Sequence, residues 1–219
     1  SFQIRIACMP VLSEIFLPNI IADFAKEHED AQFYLKAQSS ERVHESIASQ
    51  QFDIGFAENP KNSELYLTKD FSLETMIALP DGHPLAKHQT LTPKNLDGVP
   101  ICTFLPEHYL TIKLKAAFES VDAKLNIPFF LQNSSAQYAI VENGHAAGFM
   151  SSLSVWLYQQ NWEMGSRKKI IFRPFSPLIN QNISLIIPKH RPLPRISQLF
   201  AEKLEGSVRN IINLTKSEF

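Results

Sequence analysis

The sequence predicts an α/β fold of two Rossmann-like lobes joined by two crossover strands. Three observations carry that expectation. Apolar runs of strand length alternate with amphipathic segments of helix length along all 219 residues. Within roughly the first 55 residues the order is strand, helix, strand, helix, strand, two successive crossover units of a parallel sheet. The cycle then repeats, after two intervening strands, from about residue 99.

Residues 2–8 alternate apolar Phe2, Ile4, Ile6 and Cys8 with Gln3, Arg5 and the small Ala7, which makes a strand. Residues 9–12 are its exit. Ser13 reads as a helix cap with Glu14 in the favourable first turn, and Leu17, Ile20, Ile21 and Phe24 share one helical face. Pro18 either distorts the first turn or marks where the regular helix begins. Residues 32–37 form the second strand. Ser39 and Ser40 offer the next cap, for a helix reaching Gln50 through Val43, Ile47 and Ala48. Residues 52–56 form the third strand, with a single Gly55 between Ile54 and Phe56. Strands at 65–70 and 73–79 follow, then a turn at Asp81-Gly82 and a short helix at 92–96 opened by Thr92-Pro93.

The second cycle comprises strand 99–104, helix 108–120, strand 127–131, helix 134–142 and strand 147–150. Helix 108–120 carries Leu110, Leu114, Ala117, Phe118 and Val121 at helical spacing. A helix at 151–160, strands at 169–172 and 183–187, and a helix at 194–212 complete the chain. The last helix buries Ile196, Leu199, Phe200, Leu204, Val208 and Ile211. The chain crosses between lobes near Leu79 and returns near residues 176–179. The first lobe is thus 1–78 plus 177–219, and the second is 79–176. Two lobes so joined form a cleft, the usual place for a small ligand.

Composition narrows the function. A hydrophobic content of 44% with 16 Phe suffices for a sizeable core, and 20% charged residues suit a soluble surface. No apolar stretch approaches the ~20 residues that span a bilayer, and no basic leader precedes an apolar signal segment, so no membrane partner is expected. Lys and Arg number 21 against 22 Asp and Glu, a net charge of −1 without a basic run. Nucleic-acid binders concentrate positive charge on one face, so this chain does not read as one. Cys8 and Cys102 lie in apolar strands and read as reduced, buried thiols, as in a cytoplasmic protein. The chain starts at Ser1, not Met, which suits either an excised domain or a mature protein without its leader.

Catalytic and metal signatures are missing: there is no GxSxG, HExxH, phosphate loop or CxxC. Seven histidines, at 28, 44, 83, 88, 108, 145 and 190, show no ligand spacing. Each reads as a surface or loop residue, and His83 before Pro84 as part of a turn. No cofactor, metal site or catalytic residue is predicted.

Three phrases, in order, carry a family resemblance: FQIRIACMPVLSEIFLPNIIADF at 2–24, FDIGFAE at 52–58 and IALPDGHPLAKHQTL at 77–91. Their order and spacing resemble the effector-binding domain of LysR-type transcriptional regulators. The likeness covers almost the whole chain and is strongest to the family's founding, diaminopimelate-responsive member around IACMPVLSEIFLP and LPDGHPLA…LTP. It implies the fold of periplasmic solute-binding proteins and no enzymatic activity. It also implies that a winged-helix DNA-binding segment belongs upstream of Ser1, so that DNA is met only through that segment. Ligand binding would close or re-angle the lobes and change how protomers pack, in a tetramer whose effector domains pair side by side. A dimer contact is expected on the outer face of helix 18–28 and strand 32–37. One departure stands out: Val141-Glu142-Asn143-Gly144-His145-Ala146 keeps the first Gly of the family's Val-x-x-Gly-x-Gly and replaces the second. Ala is tolerated there if φ is negative, though a reshaped wall would alter ligand preference.

Candidate ligand-binding groups sit at the C-terminal ends of the parallel strands. Helices start there with N–H groups and a dipole that favour an anion. Ser13, Ser39, Ser40, Thr103, Ser134 and Ser135 place hydroxyls at such junctions, and Ser151 and Ser152 follow by the same logic. Each serine singly reads as a helix cap; together they read as a grip for a carboxylate. Glu58, ending FDIGFAE before Asn59-Pro60, is either a solvent-facing carboxylate or the partner of an ammonium group. The founding member's segment also ends in Glu, which favours an effector with an amino group: diaminopimelate, lysine or a related amino acid. Two other classes share the scaffold, a transporter's solute-binding protein and, less well supported, an aromatic-pathway dehydratase.

A chain of net charge −1 without a basic stripe should give no mobility shift with duplex DNA at about 0.15 M salt. A shift that vanishes steeply with added salt would contradict that expectation.

Overall fold

The computed structural model describes residues 2–13, 16–62, 64–160 and 168–218. In chain order the first elements are β1 (Phe2–Cys8), α1 (Pro10–Ser13), α2 (Phe16–Ala25), β2 (Ala31–Ala37), α3 (Ser40–Ala48), β3 (Ile54–Glu58) and β4 (Tyr66–Leu73). Next come β5 (Thr75–Pro80), a 3-10 turn (Pro84–Lys87), β6 (Pro100–Phe104), α4 (Tyr109–Glu119), β7 (Asn126–Leu131), α5 (Ser134–Glu142) and β8 (Ala147–Ser151). The chain ends with α6 (Ser152–Gln160), β9 (Ile170–Pro174), β10 (Gln181–Pro188) and α7 (Arg195–Glu218). It divides into two compact units, Ser1–Ser72 with Asn182–Leu214, and Leu73–Gln181 with Thr215–Phe219.

The first unit holds a five-stranded sheet in the order β2-β1-β3-β10-β4. β1 is parallel to β2 and to β3, and β10 runs antiparallel to β3. Alternation along β3 sends Gly55 and Ala57 to one face and Phe56 to the other. On the first face Val43 and Ile47 of α3 pack with Ala7, Ala57, Ile186 and Tyr66. Gly55 is what lets α3 lie so close: a Cβ there would sit 2.9 Å from Val43 Cγ1 and 3.1 Å from Ile47 Cγ1. Elsewhere in the unit Phe24 of α2, Phe33 of β2 and Phe200 of α7 meet edge-to-face, with ring centroids 5.3 to 6.1 Å apart.

The second unit repeats the plan in the order β7-β6-β8-β5-β9, with β6 parallel to β7 and β8, and β5 antiparallel to β8 and β9. Both faces of β5 are buried, Ile77 and Leu79 against α4 and Met76 and Ala78 against α5 and α6 residues. That explains its unbroken apolar run. Gly148 of β8 parallels Gly55, since a Cβ there would lie 3.1 Å from Gln137 Oε1 and 3.2 Å from Val141 Cγ2 of α5.

Three local expectations need correction. The third strand begins at Ile54, two residues later than its apolar run, because Asp53 is engaged elsewhere. Its Oδ1 accepts from Arg5 Nη2 (3.0 Å) and Arg191 Nη1 (2.9 Å), and its Oδ2 accepts from Arg5 N (3.0 Å) and Nε (3.2 Å). Residues 92–96 form hydrogen-bonded turns, not a helix: Thr92 and Asn95 bond reciprocally, and Gly98 at φ +71° redirects the chain. Ser13 lies inside a helical turn, as its last residue. It closes the helical turn α1 by donating its hydroxyl to the Pro10 carbonyl (2.8 Å), and Glu14 lies outside the described residues.

Burial alone would raise the Asp53 carboxyl, but hydrogen bonds from Arg5 and Arg191 overcome it and hold the group below its ordinary value. A depressed folded-state value stabilises above the unfolded carboxylate range, near pH 4, and the contribution is lost as pH falls through the folded value. Asp53→Asn should therefore cost about 2–4 kcal/mol at neutral pH, less than for a wholly buried pair because Arg5 is about a third exposed. In urea melts the gap between wild type and variant should close below about pH 4.

Candidate functional site

The C-terminal ends of β1 and β3 set the geometry in the first unit. Parallel strands exchange hydrogen bonds until one turns away, and β1 turns into α1 at Pro10. Met9 N–H still donates to Phe56 O (2.9 Å). The next peptide groups on that side of β3 belong to Glu58, two residues on. Strand β1 no longer supplies their partners; α3 does. Ser40 Oγ accepts from Glu58 N–H (3.1 Å), and His44 Nε2 lies 2.7 Å from Glu58 O. Because a carbonyl only accepts, the proton sits on Nε2. Tyr66 OH in turn donates to His44 O (3.0 Å). On its other side β3 remains paired with β10, through Asn59 N–H to Asn182 O and the register Ile183↔Glu58.

Ser39 is the N-cap of α3, accepting from Arg42 N–H at 3.4 Å. Ser40 is the first residue of that helix and is half-buried, as is Glu58. The structure thus brings together Ser39, Ser40 and Glu58 of the predicted set. It adds His44, which the sequence offered only as an isolated histidine. The missing signal was pairwise: Ser40 and His44 are four apart and share a helical face, and Gly55 brings that helix onto the strand.

The second unit repeats the device with other side chains. Strand β8 pairs with β6 only at Ile101↔Ala147 and Cys102↔Gly148. Just beyond, Phe149 N–H donates to Oε1 of Gln137 (2.9 Å), a fully buried residue of α5. Asn133, not Ser134, caps α5, accepting from Ala136 N–H (3.1 Å), while Ser135 Oγ donates to Asn133 Oδ1 (2.6 Å). Ser134 is buried at the first helical position. Ser151 caps α6 by accepting from Ser154 N–H (3.3 Å), and Ser152 N–H donates to Glu74 O (2.8 Å). Thr103 is fully buried with its hydroxyl 3.5 Å from Thr111 of α4, so it faces the core.

Chemistry elsewhere is quiet. Burial pushes the Cys8 and Cys102 thiols up to about 12, and both are free. Neither forms thiolate at neutral pH. His83 and His108 accept from Leu85 and Leu110 N–H, each at 3.1 Å, as caps of the 3-10 turn and of α4. Among the described residues no group of three His, Cys, Asp or Glu could hold a metal, and no helix is long and apolar enough to cross a membrane.

Residues 2–208 match the family model described as "LysR substrate binding domain". The chain belongs to this family. Two curated relatives are transcriptional regulators by name. The chain is 26% identical to the "Transcriptional activator protein LysR" of Escherichia coli K12, over 96% of this chain and 66% of that protein. It is 29% identical to the "Octopine catabolism/uptake operon regulatory protein OccR" of Rhizobium meliloti, over 69% of this chain and 53% of that one. It therefore spans less than two thirds of the length of each. In fold it resembles the effector binding domain of QuiR, solved with shikimate, with a TM-score of 0.71 at 14% identity and full coverage of both chains. Relatives that regulate transcription do not favour the enzyme and transporter readings.

The backbone of the turn at Gly144 accepts Ala146 in place of the family's second glycine. Gly144 adopts φ +77°, whereas buried Ala146 is not among the positive-φ residues. The His-Pro-Leu stretch is a scaffold element, because the Arg173 guanidinium donates to Ala86 O and His88 O at 2.9 Å and secures the 3-10 turn.

Proposed function

We propose that this domain is the sensor of a LysR-type transcriptional regulator and that its effector is a small amino acid such as lysine or diaminopimelate. In this reading the amino group meets Glu58. The carboxylate is received by N–H groups and hydroxyls at the start of α3, through Ser39 and Ser40. The observation that carries the proposal is Glu58 itself, a carboxylate at a strand end whose backbone N–H and carbonyl are both held by α3. Ser40 accepts from Glu58 N–H, so its own proton is left for a ligand oxygen. Ser13 and Thr103 drop from the ligand set: one hydroxyl donates to Pro10 O and the other is sealed in the core. Ser135 likewise spends its hydroxyl proton, on Asn133 Oδ1.

The effector must favour one conformation of the protein to matter, and a tenfold preference corresponds to about 1.4 kcal/mol. That preference would reach DNA through the packing of protomers in the full-length regulator, a cytoplasmic protein whose DNA contacts lie in another segment. Half-exposed Tyr34 on the edge strand β2 and Phe2 on β1 supply apolar surface for a dimer contact of this domain.

A thermal-shift screen of amino acids and their deaminated and decarboxylated analogues tests the effector class. Lysine or diaminopimelate should raise the melting temperature. Glu58→Gln should weaken either by about tenfold or more, the worth of a charge-assisted hydrogen bond. A response to neutral carboxylic acids alone would refute the role of Glu58.

A further inference from the structure

We infer that His44 is a positioning residue for effector discrimination: by holding the Glu58 carbonyl it fixes where the carboxylate meets an amino group. The inference rests on the reading that Glu58 receives that group. Glu58 is the last residue of β3, and its peptide points to the side that β1 has vacated. The N–H before its Cα is held by Ser40 and the carbonyl after it by His44, at 3.1 and 2.7 Å. Both come from one helical face, so α3 acts there as a surrogate strand.

The support beneath His44 is firm. Its own carbonyl accepts from Tyr66 OH at 3.0 Å, and Tyr66 belongs to the buried cluster that includes Val43 and Ile47 of α3. Gly55 keeps that helix against β3. Removing the imidazole frees the Glu58 carbonyl and loosens the strand end on the side facing α3, where only Ser40 then holds it. That should harm a ligand recognised by the carboxylate and spare one that is not.

Calorimetry on this domain with L-lysine and norleucine, which lacks the terminal amine, separates the possibilities. His44→Ala should weaken lysine by about fivefold or more and norleucine by less than about twofold. In a Glu58→Gln background His44→Ala should cost nothing further. His44→Gln, whose amide can still donate, should restore part of the loss and serves if His44→Ala fails to fold. Equal losses for both ligands, or an undiminished loss in the Glu58→Gln background, would overturn the inference and leave His44 as scaffold. If wild type binds lysine no better than norleucine, the role of Glu58 fails first and takes this inference with it.

Discussion

Parallel strands must part at their C-terminal ends to feed the helices that follow, and the peptide groups beyond the parting lose their ladder. A buried main-chain group left without a partner costs about 1–3 kcal/mol, so something else has to take its place. In this protein the substitutes are side chains from the helix that precedes the central strand. Ser40 and His44 serve Glu58 in the first unit, and Gln137 serves Phe149 in the second. Each substitution depends on a glycine, Gly55 or Gly148, that admits the helix to the strand surface. Packing and satisfaction of the backbone are therefore one arrangement, and in the first unit it holds Glu58, the carboxylate proposed to meet the effector.

The opposite end of the first sheet is secured differently. Asp53, buried between Arg5 and Arg191, ties β1, the start of β3 and the loop after β10 together. Ionic bonds fix the end where no ligand is expected, and polar side chains with spare hydrogen-bonding capacity occupy the end where one is. Free thiols play no part in this: Cys8 and Cys102 sit in the equivalent strands β1 and β6, buried and inert.

Much of the fold was legible because period-two and helical patterns survive in the sequence. The helix at 134–142 has the bounds its periodicity predicts, and α4 differs by a single residue at each end. Errors fell where a side chain's partner is distant in sequence or where neighbouring polar residues compete for one role. Asp53 read as part of an apolar strand because Arg191, 138 residues away, was invisible to a local pattern. Serines were credited with caps, yet Asn133 caps α5 and Ser13 bonds backwards within its own turn. His44 was passed over because its role needs Gly55 and the divergence of β1, neither of which shows in the spacing of histidines. The effector class stayed open for the same reason: it depends on which hydroxyls retain a proton for a ligand, a property of the assembled strand ends.

Hydrogen–deuterium exchange with and without saturating L-lysine tests the central claim most directly. If the effector binds where the helix replaces the strand, protection should rise at the first turn of α3 and at the end of β3, around Ser39, Ser40 and Glu58. Protection elsewhere with these segments unchanged, or no change anywhere in a folded protein, would contradict the account.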